Sequence, residues 1–163
     1  MQTANDTNNR TALFPGSFDP FTLGHKIVVD QGLDLFDRIV IAVGVNTEKR
    51  GLLTPENRAR LIRDLYRDNP RVEVVVYNEL TGKVCRQLGI NTILRGLRNT
   101  VDFEYERNIM QVNQTLFPEI RTVLLFTPAE CVAISSSVIR ELVAFGGDPT
   151  PLMPENIDIR NYL

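Results

Sequence analysis

Apolar positions along this chain alternate between short solid runs and longer stretches at helical spacing. Residues 11–15 are short, apolar and lead into Pro15-Gly16-Ser17, the pattern of a buried strand ending in a loop. From about Gly24 the apolar positions Ile27, Val28, Gly32 and Leu35 predict a helix that Phe36 closes. The unbroken run Ile39-Val40-Ile41-Ala42-Val43 predicts a strand covered on both faces. Thr54-Pro55-Glu56 supplies an N-cap, a proline at the first helical position and an acid in the first turn, opening a helix to Tyr66. Strands over 72–77, 92–94 and 122–126 then interleave with helices over 81–88, 101–116 and 135–145, the last stopped by Gly146-Gly147.

Strand and helix alternating along the whole length imply right-handed crossovers and a parallel sheet covered on both faces. The expected class is α/β, a doubly wound parallel sheet in a single domain over residues 11–163, after a disordered tail over 1–10. Ligands in such sheets sit beyond the carboxyl ends of the strands, near the reversal of strand order. Residues 16–25, 44–51, 78–83, 95–99 and 127–137 are therefore the ones to inspect.

Composition narrows the partners. A chain of 163 residues, 43% hydrophobic, supports one core, and a formal net charge of −2 advertises neither nucleic acid nor membrane. Cys85 and Cys131 lack metal-site spacing and are too few for a disulfide scaffold, so reduced, structural thiols are expected. The polar opening and the lack of a long apolar run predict a cytoplasmic protein.

The first loop concentrates unusual residues. Gly16 and Gly24 permit close backbone approach, Ser17 and Thr22 bring hydroxyls, and His25, the only histidine, falls where the helix starts. Free amides at a helix N-terminus attract phosphate, and an imidazole there, neutral or protonated, can meet an oxygen that gains charge during group transfer. The simpler reading makes these only turn and first-turn residues. Ser135-Ser136-Ser137 precede a helix that one serine would suffice to cap; three exceed that need and could seat phosphates. Arg95 and Arg98 follow a strand, as bidentate phosphate ligands or as surface arginines paired with Asp102 or Glu104. Lys49, by its pattern alone, reads as a solvated lysine. Arg58, Arg60, Arg63, Asp64, Arg67 and Asp68 read as a solvated helix face, and Phe103 and Tyr105 as core or subunit contacts.

The spacing Thr22-Leu23-Gly24-His25 resembles the T/HxGH signature of the nucleotidylyltransferase superfamily, whose members join a nucleotide monophosphate to a phosphate and release pyrophosphate. Residues 14–25 look like its opening in the phosphopantetheine adenylyltransferase branch. Arg95-Gly96-Leu97-Arg98-Asn99 with Asp102-Phe103-Glu104-Tyr105-Glu106 is similar to that branch's RGLR and DFEYE segment, which branches acting on nicotinate mononucleotide or transferring CMP lack. Ile134-Ser135-Ser136-Ser137-Val138-Ile139-Arg140-Glu141 resembles its ISSS segment.

The resemblance implies a Rossmann-like dinucleotide-binding fold and transfer of AMP from ATP to 4′-phosphopantetheine, giving dephospho-coenzyme A in coenzyme A biosynthesis. Mg²⁺ would arrive with the ATP, without a protein metal site; coenzyme A is the feedback ligand it suggests, and a homohexamer the usual assembly. Carried over by residue, His25, Lys49 and Arg98 are catalytic. The ATP contacts are Ser17, Phe18, His25, Gly96, Leu97, Arg98, Glu106, Cys131, Val132, Ala133, Ile134, Ser135, Ser136 and Ser137. The acceptor contacts are Ser17, Lys49, Thr81 and Arg95. The chain departs from the branch at Leu23, commonly asparagine, and at Ser17, often threonine.

Overall fold

The computed structural model describes residues 10–46 and 51–163. Strands β1 (Thr11–Gly16), β2 (Arg38–Gly44), β3 (Val72–Tyr77), β4 (Thr92–Leu97) and β5 (Arg121–Phe126) form one sheet in the order β3-β2-β1-β4-β5. All neighbours are parallel; β1 pairs β2 from Thr11↔Arg38 to Gly16↔Val43 and meets β4 at Leu13↔Ile93. The chain crosses from β3 to β4 over the far side of β1. Strand order therefore reverses at the β1/β4 seam, and a crevice opens beyond Gly16 and Leu97.

Helices α1 (Leu23–Leu35), α2 (Pro55–Leu65), α3 (Thr81–Leu88) and α4 (Thr100–Leu116) fill the crossovers, and α5 (Ser136–Ala144) follows β5. The two-residue strand period divides the core. Ala12, Phe14, Ile39, Ile41 and Val43 pack with Val28, Val29, Ile62 and Ile139 on one face. Leu13, Val40, Ala42 and Ile93 pack with Val84, Cys85 and Phe117 on the other. This is the doubly wound sheet expected from the sequence, and no helix among the described residues is long and apolar enough to cross a membrane.

Several details differ from the sequence reading. β4 runs to Leu97, so Arg95 and Gly96 are strand residues rather than loop residues. The buried face of α1 is Gly24, Val28, Val29 and Gly32, while Leu35 is exposed. Gly32 sets that face, because a Cβ there would lie 2.6 Å from Ile39 Cδ1 and 2.7 Å from Leu94 Cδ2. Arg58, read as solvated, is buried on the inner stripe of α2 with Ala59, Leu61 and Ile62; Arg67 does pair with Asp64, at 2.9 Å. Short 3₁₀ turns at Thr150–Leu152 and Ile159–Asn161 had no periodic signal, yet this segment delivers Met153, Ile157, Ile159 and Tyr162 to the core. The tail expected over 1–10 lies outside the described residues except for Arg10, whose amide donates to Asp37 at 2.8 Å.

Gly82, in the first turn of α3, offers a test of packing on the second face. A Cβ at this position would come within 2.2 Å of the Phe117 ring. Overpacking typically costs about 1–3 kcal/mol, and alanine returns about 1 kcal/mol in helix propensity. Gly82→Ala should therefore lower the urea midpoint of unfolding; an unchanged or higher midpoint would mean that Phe117 moves aside freely.

Candidate active site

The turn from β1 into α1 builds the floor of the crevice. Thr22 is the N-cap of α1, and His25 occupies the third helical position, where a capping box ordinarily places Glu or Gln. The His25 amide donates to Thr22 Oγ1 at 3.3 Å, and the Thr22 amide donates to His25 Nδ1 at 3.0 Å. An amide can only donate, so Nδ1 is an acceptor and the ring's proton sits on Nε2. Phe14, Phe18 and Phe21 surround the ring, Phe18 edge-on at 5.0 Å between centroids. Burial, and then the charges of Arg95 and Arg98, push the His25 pKa down from 6.5 to about 3. The imidazole is a neutral hydrogen-bond donor throughout the physiological range.

Phe18 adopts φ 49°, in the left-handed region that side chains disfavour, and its buried ring offsets the strain by packing between Phe14 and Phe21. Gly16 is required beside it, since a Cβ there would meet the Phe18 ring at 2.8 Å. At Gly24 a Cβ would stand 3.5 Å from Thr22 Oγ1, so nothing in the protein demands glycine, and the open side faces the crevice.

Two chambers meet above this floor. One, of about 400 Å³, is lined by the start of α1, by Gly96 and Arg98, and by Cys131, Ile134, Ser135, Ser136, Ser137 and Arg140. The other, of about 520 Å³, is lined by the ends of β2 and β3, by Thr81 at the start of α3, and by Ile109, Met110 and Asn113 of α4. Pro15, Gly16, Ser17, Arg95, Tyr105 and Glu106 line both and form the wall between them.

The first chamber is built for anions. It collects the N-termini of α1 and α5, neither of which has an acidic residue in its first turn. Its arginines are held in place. Arg95 binds both Glu106 oxygens through Nε, at 2.9 and 3.0 Å, and donates through Nη1 to the Pro15 carbonyl. One N–H on each terminal nitrogen of Arg95 stays uncommitted. Arg98 forks onto Asp102 at 2.9 and 3.1 Å, which raises the guanidinium pKa. Burial opposes ionisation of Asp102, but the hydrogen bonds from Arg98 prevail and hold its carboxyl below the usual range.

The sequence-derived site residues fall into distinct groups. Ser17, Phe18, His25, Gly96, Arg98, Glu106, Cys131, Ile134 and the three serines line the smaller chamber, while Ser17, Thr81 and Arg95 line the larger. Leu97, Val132 and Ala133 line neither: Leu97 is buried in the sheet, and Val132 and Ala133 face solvent. Lys49 lies outside the described residues. The serine hydroxyls are less free than the sequence implied. Ser135 caps Val138, Ser136 donates to the Pro20 carbonyl at 2.8 Å, and Ser137 accepts from Arg140 at 3.0 Å. Arginine at 95 pairs with Glu106 rather than with Asp102 or Glu104. Tyr105 is 61% exposed and borders both chambers, so it is no core residue.

The sequence reading missed Asp19, Arg58 and Arg140. Arg140 was legible as the residue one turn beyond Ser137, and Arg58 as a member of the apolar stripe of α2. Asp19 looked like any residue before a proline.

A cytidylyltransferase-like family model matches residues 13–142. The chain is 45% identical to the phosphopantetheine adenylyltransferase of Flavobacterium psychrophilum over 93% of its length and 99% of that relative. The chain belongs to the phosphopantetheine adenylyltransferase family. It is likewise similar to members from Lactobacillus johnsonii, at 46% over 90% of this chain and 89% of the relative, and Bacteroides thetaiotaomicron, at 43% over 92% and 99%.

The neutral His25 yields a measurable pH signature for this family member. Its folded pKa, about 3, lies below the unfolded 6.5, so the unfolded chain binds the extra proton first. The stability tied to the neutral ring is complete above pH 6.5 and is lost as pH falls toward 3. Imidazole ¹⁵N shifts of the free protein should report the Nε2–H tautomer still present at pH 5. A His25 titration midpoint near 6.5 would contradict the part-buried capping geometry.

Proposed function

We propose that the chain transfers AMP from ATP to 4′-phosphopantetheine, releasing pyrophosphate and dephospho-coenzyme A, with ATP in the smaller chamber and the acceptor in the larger. The observation that carries the reading is the shared wall: two chambers suited to two ligands meet at Ser17 and Arg95, above the neutral donor of His25. An acceptor phosphate oxygen entering across that wall forms a bond to the α-phosphorus as the bond to the β-phosphate bridging oxygen breaks. No protein nucleophile takes part, and a phosphate acceptor needs no general base, so placement and charge stabilisation do the catalysis.

Each residue then has a task. His25 donates from Nε2 to a non-bridging α-phosphate oxygen. Arg98 and the amides opening α5 receive the β- and γ-phosphates. Ser17 and Arg95 hold the acceptor phosphate from opposite sides, and Thr81, whose hydroxyl lies 3.1 Å from that of Tyr77, meets the pantetheine arm. Lys49 is assigned the acceptor phosphate by resemblance alone. Glu106 acts chiefly by bracing Arg95, since both its oxygens are occupied.

Mg²⁺ would neutralise the phosphates of ATP. The carboxylates lining the smaller chamber, Asp102 and Glu106, are each engaged by an arginine, and among the described residues no cluster of metal ligands stands ready. The residues present offer the ion no seat of their own, and no step is assigned to it. Coenzyme A, carrying both pantetheine and adenylate units, fits the same two chambers as a feedback ligand. A cytoplasmic, homohexameric enzyme completes the reading. In support of self-association, Tyr105, Ile109, Val112 and Leu116 place an exposed apolar stripe along α4.

Purified protein with ATP, Mg²⁺ and 4′-phosphopantetheine should release pyrophosphate, whereas nicotinate mononucleotide should not replace the acceptor. Tight ATP binding without turnover of any acceptor would instead identify a nucleotide sensor on the same fold. His25→Ala should keep the fold and lose about 100- to 1,000-fold in kcat, the usual cost of one transition-state donor. Near-normal turnover by this variant would remove His25 from the mechanism. Sedimentation should find a hexamer that Val112→Glu dissociates; a monomeric wild-type protein would contradict the assembly.

A further inference from the structure

Asp19 lines neither chamber, and nothing in the mechanism above uses it, yet it is one of the few buried charged residues. Its carboxylate is 6% exposed as a residue and accepts the Leu53 amide on Oδ1 and the Leu52 amide on Oδ2, both at 2.8 Å. The Arg58 Nε stands 3.3 Å from Oδ1. Arg58, equally buried, also donates through Nε to the Leu53 carbonyl at 2.9 Å and through Nη1 to the Ser17 carbonyl at 3.3 Å. The Asp19 carbonyl in turn accepts from Arg140 Nη1 at 2.8 Å. Gly51 is cut to this junction, because a Cβ there would lie 2.0 Å from Arg58 Nη2 and 2.6 Å from Asp19 Oδ2.

We infer that Asp19 and Arg58 are positioning residues: they form a buried clamp that holds Ser17 in the wall between the chambers. The inference rests on the adenylyl-transfer reading. A buried pair contributes little to stability compared with apolar side chains of equal volume, whereas its directional hydrogen bonds fix backbone that packing alone would leave adjustable. Here those bonds end on the Ser17 carbonyl and on the segment entering α2, and through Arg140 on the opening of α5. The clamp therefore ties the loop after β1 to both of its neighbours.

A double-mutant cycle tests this. Arg58→Lys keeps a cation beside Asp19 but cannot serve the Leu53 and Ser17 carbonyls together, and Asp19→Asn keeps the shape but removes the charge and one of the two acceptors for the Leu52 and Leu53 amides. Each should lower kcat/KM for 4′-phosphopantetheine about 10-fold at an unchanged folded fraction by circular dichroism, since small misplacements of reacting groups are costly. In a Ser17→Ala background the same substitutions should cost less than about 2-fold, because the residue they position no longer contributes its hydroxyl. Losses that multiply in full in that background, or losses that track only the unfolded fraction, would overturn the clamp as a positioning device. Turnover by the unsubstituted protein is the separate test of the functional reading, and without it both readings fall.

Discussion

The hydrogen bond from the Thr22 amide to His25 Nδ1 is the constraint on which the site depends. It completes the capping box of α1 and so decides where that helix begins. It also fixes the tautomer, because the ring must accept at Nδ1 to satisfy the amide and therefore carries its proton on Nε2. Helix geometry and acid–base state thus follow from one contact. Burial among three phenylalanines and two nearby arginines reinforces the choice by penalising the imidazolium. A cationic histidine here would hold an anion by charge in ground state and transition state alike. A neutral donor strengthens its bond as negative charge accumulates on the oxygen it meets.

The strand order explains why this helix start faces two chambers. Because β1 has β2 on one side and β4 on the other, the connections leaving β1 and β4 diverge, and neither covers the gap. The paired β1 and β2 run together to Gly16 and Val43, which supports the larger chamber. β4 continues to Leu97 and carries Arg95 into the wall on a rigid element, where Glu106 reaches across from α4 to grip it. An arginine on a mobile loop would have to be ordered before it could hold an anion. A strand arginine with a bidentate partner is already in place.

Much of this was legible because the chemistry and the local structure share residues. Gly24 and His25 mark both a helix start and a motif, and the run from Ile39 to Val43 allowed only a strand buried on both faces. The periodic elements came through to within a residue or two, except where β4 continued into polar sequence. The remainder was hidden for identifiable reasons. Hydroxyl, carboxylate and guanidinium groups say nothing in sequence about which partner they meet, so Ser135, Ser136 and Ser137 looked available although each is engaged by the protein. Arg58 looked solvated because its counter-charge, Asp19, is distant in sequence. The segment after Gly147 has no period at all, and only the fold shows its apolar residues closing the core beside α2.

The partly buried ion pairs around the crevice also constrain how the protein can be charged. The smaller chamber concentrates helix N-termini and arginines, yet the chain carries a formal net charge of −2. Such a field would be self-repelling if each cation stood alone. Arg95 and Arg98 instead carry their counter-ions on α4, one turn apart, at Glu106 and Asp102. The carboxylates hold the guanidiniums in orientation and reduce their mutual repulsion, while leaving some guanidinium N–H groups uncommitted. The same pairing leaves those carboxylates unsuited to binding a metal ion. Positive charge in the smaller chamber therefore comes from helix ends and oriented arginines. Hydrogen bonds such as those of Arg95 to Glu106 and Arg98 to Asp102 hold the chamber walls in position.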